Sequence, residues 1–220
     1  NEIAQSEAAT GKQFANYWLH NNFLLVDGTK VSKSLGNTFE LKDLYEKGFT
    51  ADDFRMFVLQ SHYRTESNFT WENLQAAKNR LNNWQNVANL RWQVNEESNE
   101  SSLVEPIEFA TKGVLEYLQN DLNTPQVLSL LDNIFGSIVY RLSKTEANQF
   151  TELLMTIKEL LGLNLLKDDI TENQKELIFS RIQARERKDW ALSDEIRDQL
   201  LAQGIELKDS ESTTIWSKNY

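Results

Sequence analysis

Phe23-Leu24-Leu25-Val26-Asp27-Gly28-Thr29-Lys30-Val31-Ser32-Lys33-Ser34-Leu35-Gly36-Asn37 is the stretch on which the fold turns. The apolar run from Phe23 to Val26, bounded by Asn22 and by Asp27-Gly28, predicts a short buried strand followed by a turn. That strand delivers a lysine loop at its end, and ligands of open α/β sheets sit in loops so placed. Two lysines three residues apart, flanked by serines and closed by Gly-Asn, describe a polyanion-binding loop. Lys30 and Lys33 can neutralise phosphate oxygens as point charges. Ser32, Ser34 and backbone N–H groups add hydrogen bonds, and Gly36 lets the backbone turn without steric penalty. On the residues alone, an ordinary solvated surface loop competes with this reading.

Outward from the loop the chain is helical. Upstream, residues 2 to 10 have helical character with Gly11 as the stop, and Phe14 to His20 reads as a short helix or the lead into a strand. Downstream, helices are predicted over 40–47, over Ala51 to His62, and from Trp71 to Val94 with Thr70 as N-cap. Asn95 to Ser102 reads as a polar linker. A helix follows over Phe109 to Leu118, and another is opened by Thr124-Pro125 and carried through Ile138 to Leu142. A further helix spans Ala147 to Leu161 and closes at Gly162. After a second linker over 164–170, Thr171-Glu172-Asn173-Gln174 is a capping box for a helix to Arg187. A last helix runs from Trp190 to Ala202. Ile205 to Lys208 and Thr214 to Trp216 then alternate as a small hairpin around Ser210-Glu211-Ser212.

Composition bounds the rest. The chain has 220 residues, 40% hydrophobic and 25% charged, with 8 Gly, 2 Pro and 0 Cys. Low Gly and Pro favour long helices, and zero Cys excludes a disulfide framework or an all-thiolate metal site within these residues. No apolar run approaches a membrane span, and an intracellular, cytoplasmic protein is the expectation. A net charge of −10 argues against nucleic acid, unless the lysines and arginines gather on one face.

Lys30 to Asn37 reads K-V-S-K-S-L-G-N and resembles the K-M-S-K-S loop of class I aminoacyl-tRNA synthetases, with Val31 in place of Met. Trp18-Leu19-His20 resembles the W-x-H that precedes it, although Asn21-Asn22 departs from the usual x-G. Together with N-E-I-A-Q-S-E-A-A-T-G over Asn1 to Gly11, the pattern is similar to the cysteinyl-tRNA synthetase family. His62-Tyr63-Arg64 and Asp121-Leu122-Asn123-Thr124-Pro125 resemble its H-Y-R and D-F-N-T-P segments, read here as a helix-end cluster and a structural turn. Ala184 to Asp194 resembles its A-R-x-x-K-D-W-x-x-x-D, and Gly204 to Asp209 with Thr213 to Trp216 its G-I-x-L-x-D and T-T-x-W. The fold so implied is mainly α: the end of a Rossmann-type α/β catalytic domain over 1–48, a helical bundle over 49–163 (stem-contact and DALR-like), and a small α+β hairpin tail over 171–220. The expectation is a C-terminal portion lacking the N-terminal nucleotide-binding half.

What the resemblance implies is ATP-dependent ligation of cysteine to tRNA(Cys) through a cysteinyl-adenylate, with ATP/Mg²⁺ and L-cysteine as further substrates. Lys33, assisted by Lys30, would be catalytic, and Lys30, Ser32, Lys33 and Ser34 would contact ATP. The family uses zinc to choose cysteine over serine, since zinc prefers thiolate to hydroxyl. Glu2 matches one of its ligands, and the others are expected upstream. His20 is read either as lining the active site or as structural. Arg185, Trp190, Asp194 and Asp209 would read the tRNA anticodon, by stacking and by hydrogen bonds to base edges. A monomer is expected, and the fragment alone is expected to be inactive. Two alternatives stand beside this reading: a tRNA-binding module without catalysis, and a relative that joins cysteine to an amino sugar and would lack the tail.

Overall fold

The computed structural model describes residues 1–32, 34, 36–99, 101–139, 141–209 and 214–218. Nine helices and five strands are placed among them, in the order α1 (Glu2–Thr10), β1 (Leu24–Val26), β2 (Thr29–Lys30), α2 (Leu41–Glu46), α3 (Ala51–Leu59), β3 (Ser67–Phe69), α4 (Trp71–Ala88), α5 (Val104–Gln119), α6 (Thr124–Ser137), α7 (Lys144–Leu161), α8 (Glu172–Glu186), α9 (Trp190–Ala202), β4 (Ile205–Asp209) and β5 (Thr214–Lys218). The mainly helical layout with small sheets is the one expected.

The expected strand at Phe23–Val26 exists as β1, and Asp27-Gly28 turns it into β2 with both residues at positive φ. Such a two-residue turn matches the twist of an antiparallel pair. A third strand, β3, pairs with β1 in parallel, Val26 opposite Phe69, giving the order β2-β1-β3. Three residues with a polar centre carry no strand signature, so β3 was not legible. Its Phe69 lies among Phe39, Phe54, Phe57 and Trp71, with ring centroids 5.2–6.3 Å apart along this group. This aromatic block underlies the small sheet and joins it to the helices.

The bundle core is continuous with that block. α3 packs on α4, and α5 packs on both α6 and α7. Met56, Leu74, Ile107, Leu131, Phe150 and Leu153 are fully buried between them. Trp84 stacks on Phe135 at 4.9 Å and donates its indole N–H to Asp132. At Gly113 the side chains of α6 press on α5, since a Cβ there would meet Leu130 Cδ2 at 2.7 Å. Gly162 ends α7 at φ 70°, and Arg55 of α3 donates to the Leu161 carbonyl left open there.

Several boundaries differ from expectation. Residues 14–20 form neither helix nor strand. The long helix after Thr70 stops at Ala88 and passes into a 3-10 turn over Asn89–Trp92. α5 begins at Val104, before Phe109. The N-cap of α6 is Asn123 rather than Thr124, its side chain accepting from Gln126 N–H, and the helix ends at Ser137 short of Leu142. α7 begins at Lys144 because Ser143 and Glu146 form a capping box, and the buried Glu146 carboxylate also accepts from Leu103 N–H. The segment 164–170, expected as a linker, is a packed strap with Leu165 and Ile170 buried. The hairpin turn over Ser210 to Thr213 lies outside the described residues.

The tail has its own small core of Ile178, Ile196, Leu200, Ile205 and Trp216. It joins the bundle at Gln93, which is buried. Gln93 Nε2 donates to Trp216 O, and Trp216 N–H donates to Gln93 Oε1, both at 2.9 Å. Replacing Gln93 by Leu leaves two buried backbone groups unpaired, a cost of about 3 kcal/mol. Urea unfolding followed by tryptophan fluorescence is expected to show that loss, with amide exchange of residues 215–217 accelerated first.

Candidate functional site

Two regions carry the residues singled out from the sequence. The first is the lysine loop. Lys30 ends β2 at the sheet edge, and its Nζ lies 5.1 Å above the ring of Phe23. Asn37 closes the loop on itself: its Oδ1 accepts from Ser32 N–H at 2.8 Å and its Nδ2 donates to Lys30 O at 3.2 Å. The side-chain amide thus acts as a short extra strand against residues 30–32. Gly36, at φ 64°, gives the reversal that brings Asn37 there. The Ser32 and Ser34 hydroxyls share a 2.8 Å hydrogen bond in which either can be the donor, which leaves one hydroxyl proton for an anion. Lys33, the residue with the leading catalytic expectation, lies outside the described residues. Among the described loop residues the charge is cationic and the backbone is held, an arrangement suited to a polyphosphate.

Beside the loop, Asn22 links the sheet to the bundle through Tyr63 O and Arg64 O. Asp121 accepts from Tyr63 OH and pairs with Arg64 at 3.2 Å, while His62 Nε2 donates to its carbonyl at 2.8 Å. Asp121 and Leu122 both hold positive φ, a costly conformation for non-glycine residues that these bonds maintain. The expected helix-end cluster and structural turn are therefore one unit. Trp18 stacks near His20 at 6.3 Å, and both rings are on the exposed segment before β1.

Glu2 is an exposed residue of α1. No group of three His, Cys, Asp or Glu is positioned to hold a metal ion among the described residues. One carboxylate does not make a zinc site, so the donors present do not fit the zinc that the resemblance implies.

The second region is the tail, where the structure gathers Arg185, Trp190, Asp194 and Asp209. Lys188 takes a left-handed conformation at the end of α8, and Asp189 caps α9 through Leu192 N–H. Trp190, as the first residue of α9, is thereby displayed at the corner between helices. The Arg185 guanidinium lies 5.9 Å from the Trp190 ring centre and 3.2 Å from Asp209. Asp194 is near enough to Arg181 to act on its charge and lies 3.9 Å from Arg197.

Asp209 is more heavily engaged than the sequence suggested. Arg181 grips it with two parallel bonds of 2.9 and 2.8 Å, and Thr214 Oγ1 donates at 2.7 Å. Hydrogen bonding from Arg181 holds the carboxyl well below the usual carboxylate range. Thr214 and the charges of Arg181 and Arg185 add to this, against the opposing effect of burial. Arg181 and Asn37 were not singled out from sequence. Arg181 was findable, since it stands one helical turn before Arg185 on α8 and so shares its face. The role of Asn37 depends on the loop's path, which no spacing shows.

The chain is similar in sequence to known proteins. The family described as tRNA synthetases class I (C) catalytic domain matches residues 1–79. The chain is 35% identical to a cysteine–tRNA ligase of Lachnospira eligens, over 99% of the chain and 49% of the relative. It is 37% identical to that of Chlamydia pneumoniae, over 96% and 47%. It is 38% identical to that of Hydrogenovibrio crunogenus, over 99% and 48%. The chain spans about half the length of the curated relatives it matches.

A pH test follows from Asp209. Its folded pKa is depressed, so its contribution to stability is fully present above the ordinary carboxylate value. It is lost as pH falls below about 4. Thermal melts of the tail are expected to decline in that acid range, and Asp209→Asn is expected to flatten the decline while lowering stability near neutrality.

Proposed function

We propose that the chain belongs to the cysteine–tRNA ligase family and serves ATP-dependent ligation of cysteine to tRNA(Cys). In this reading residues 1–48 complete a catalytic domain, 49–163 form the bundle, and 171–220 form the anticodon-binding domain. The observation that carries it is similarity over nearly the whole chain, lysine loop and tail together. A cysteine–amino-sugar ligase would call for the loop but not for the tail.

The first step joins the cysteine carboxylate to the α-phosphorus of ATP and expels pyrophosphate. Negative charge grows on the departing phosphates, so cations already held there favour the transition state over the ground state. Lys33 and Lys30 supply those cations, and the Ser32 and Ser34 pair supplies a hydroxyl donor. The hold of Asn37 on the loop backbone reduces the motion that must be frozen when ATP arrives. The acyl group then passes to the 3′ end of tRNA, whose anticodon meets Arg185 and Trp190 in the tail. Zinc, where such an enzyme binds it, would supply thiolate selectivity, and Glu2 alone could not hold it. No helix among the described residues is long and apolar enough to cross a membrane.

The decisive experiment is kinetic, in a polypeptide of the relatives' full length. Lys33→Ala is expected to lower the turnover of ATP–pyrophosphate exchange about 100-fold, with the KM for ATP changed only a few-fold. Equal losses in both would count against a transition-state role. The 220 residues alone are expected to give no cysteinyl-tRNA with ATP, cysteine and tRNA, as measured by acid-precipitable label.

A further inference from the structure

We propose that Arg181 is a positioning residue for anticodon recognition, acting through Asp209 to hold Arg185 against Trp190; this rests on the tRNA reading above. The tail presents a graded series from core to surface. The Arg181 side chain is 3% exposed, Asp209 27% and Arg185 39%, and Trp190 is 56% exposed. Arg181 therefore cannot touch a large ligand. Its two terminal nitrogens both go to Asp209, and its buried Nε has no acceptor among the described residues.

Each oxygen of Asp209 is fully engaged. Oδ1 takes Arg181 and Thr214, while Oδ2 takes Arg181 and Arg185. The carboxylate is a hub, and its orientation is fixed by the planar fork of Arg181 in a way that a lysine cannot reproduce. From that hub Arg185 extends beside the Trp190 ring. An unpaired base stacking on Trp190 thus meets a guanidinium edge already in place. A free arginine would have to surrender its rotamer freedom at that moment. Part of the selectivity is stored in a residue the RNA never reaches.

The test uses the full-length protein, tRNA with a Cys anticodon, and the same tRNA with one anticodon base changed. Arg181→Lys is expected to reduce the ratio of kcat/KM for the two tRNAs about tenfold, corresponding to one freed side chain. The slope of binding against salt should stay as in the wild type, because no phosphate contact is removed. Arg185→Lys should lose discrimination to a similar degree, and the double variant should lose little more than either one. Thr214→Val, which leaves both guanidiniums in place, should move the ratio in the same direction by about threefold. It keeps the idea testable if Arg181→Lys melts the tail. Multiplicative losses in the double variant would sink the proposal, as would a shallower salt slope with discrimination intact. So would Thr214→Val and Arg181→Lys proteins that fold and discriminate like the wild type. If the wild type itself does not distinguish the two tRNAs, the anticodon reading fails, and this proposal with it.

Discussion

The two hydrogen bonds between the Gln93 carboxamide and the backbone of Trp216 decide how the two halves of the molecule live together. The tail core is a handful of side chains around Ile196, Leu200 and Trp216, too few to support a stable fold comfortably alone. Docking β5 on the bundle supplies what is missing, but it also removes the strand's N–H and C=O groups from water. Gln93 satisfies both with one side chain. Around it, Arg141 donates to Thr214 O, Gln85 to Leu165 O, and Trp92 to Lys167 O. The end of α4, the strap at Leu165 and Lys167, and β5 therefore meet at a junction of side chains bonded to backbone. Apolar contact fills it, and polar pairing sets its register.

The same economy appears at both proposed ligand regions. In the loop, Asn37 offers an amide to the backbone of residues 30 and 32. In the tail, Asp209 offers a carboxylate to Arg181, Arg185 and Thr214. In each, one short side chain with two polar atoms makes the hold, on the backbone at Lys30 and Ser32 in the loop and on two guanidinium groups in the tail. Long lysines and arginines lose much rotamer freedom on binding, so holding the chain that bears them is a direct route to preorganisation. An overall charge of −10 then matters less than where a few cations are held.

Much of this was legible. The strand and Asp-Gly turn before the lysine loop, the cap at Thr70, the capping box opened by Thr171, and the glycine stop at 162 follow from local chemistry, and the structure has them. What escaped were features defined by partners distant in sequence. β3 exists because Phe69 completes an aromatic block. The strap over 164–170 is polar enough to read as a linker, yet Leu165 and Ile170 are buried by elements far along the chain. α6 ends at Ser137 although its apolar spacing continues to Leu142, since Ile138 and Leu142 are buried without remaining helical. Periodicity reports which residues seek the core, and it is silent on the backbone that takes them there.

The proposed tail site shows the same limit in chemical terms. Arg185, Trp190, Asp194 and Asp209 could be singled out as a set, but sequence treated them as four independent contacts. The geometry makes them unequal. Asp209 has both oxygens engaged before any ligand arrives, so a base amino group would have to compete with two guanidiniums for it. Trp190 owes its exposure to Lys188 and Asp189, which end one helix and begin the next. Arg185 alone combines an exposed guanidinium with a fixed anchor and a stacking partner. A residue's type says which bond it can make, and its neighbours' prior claims decide whether that bond is still free to be made.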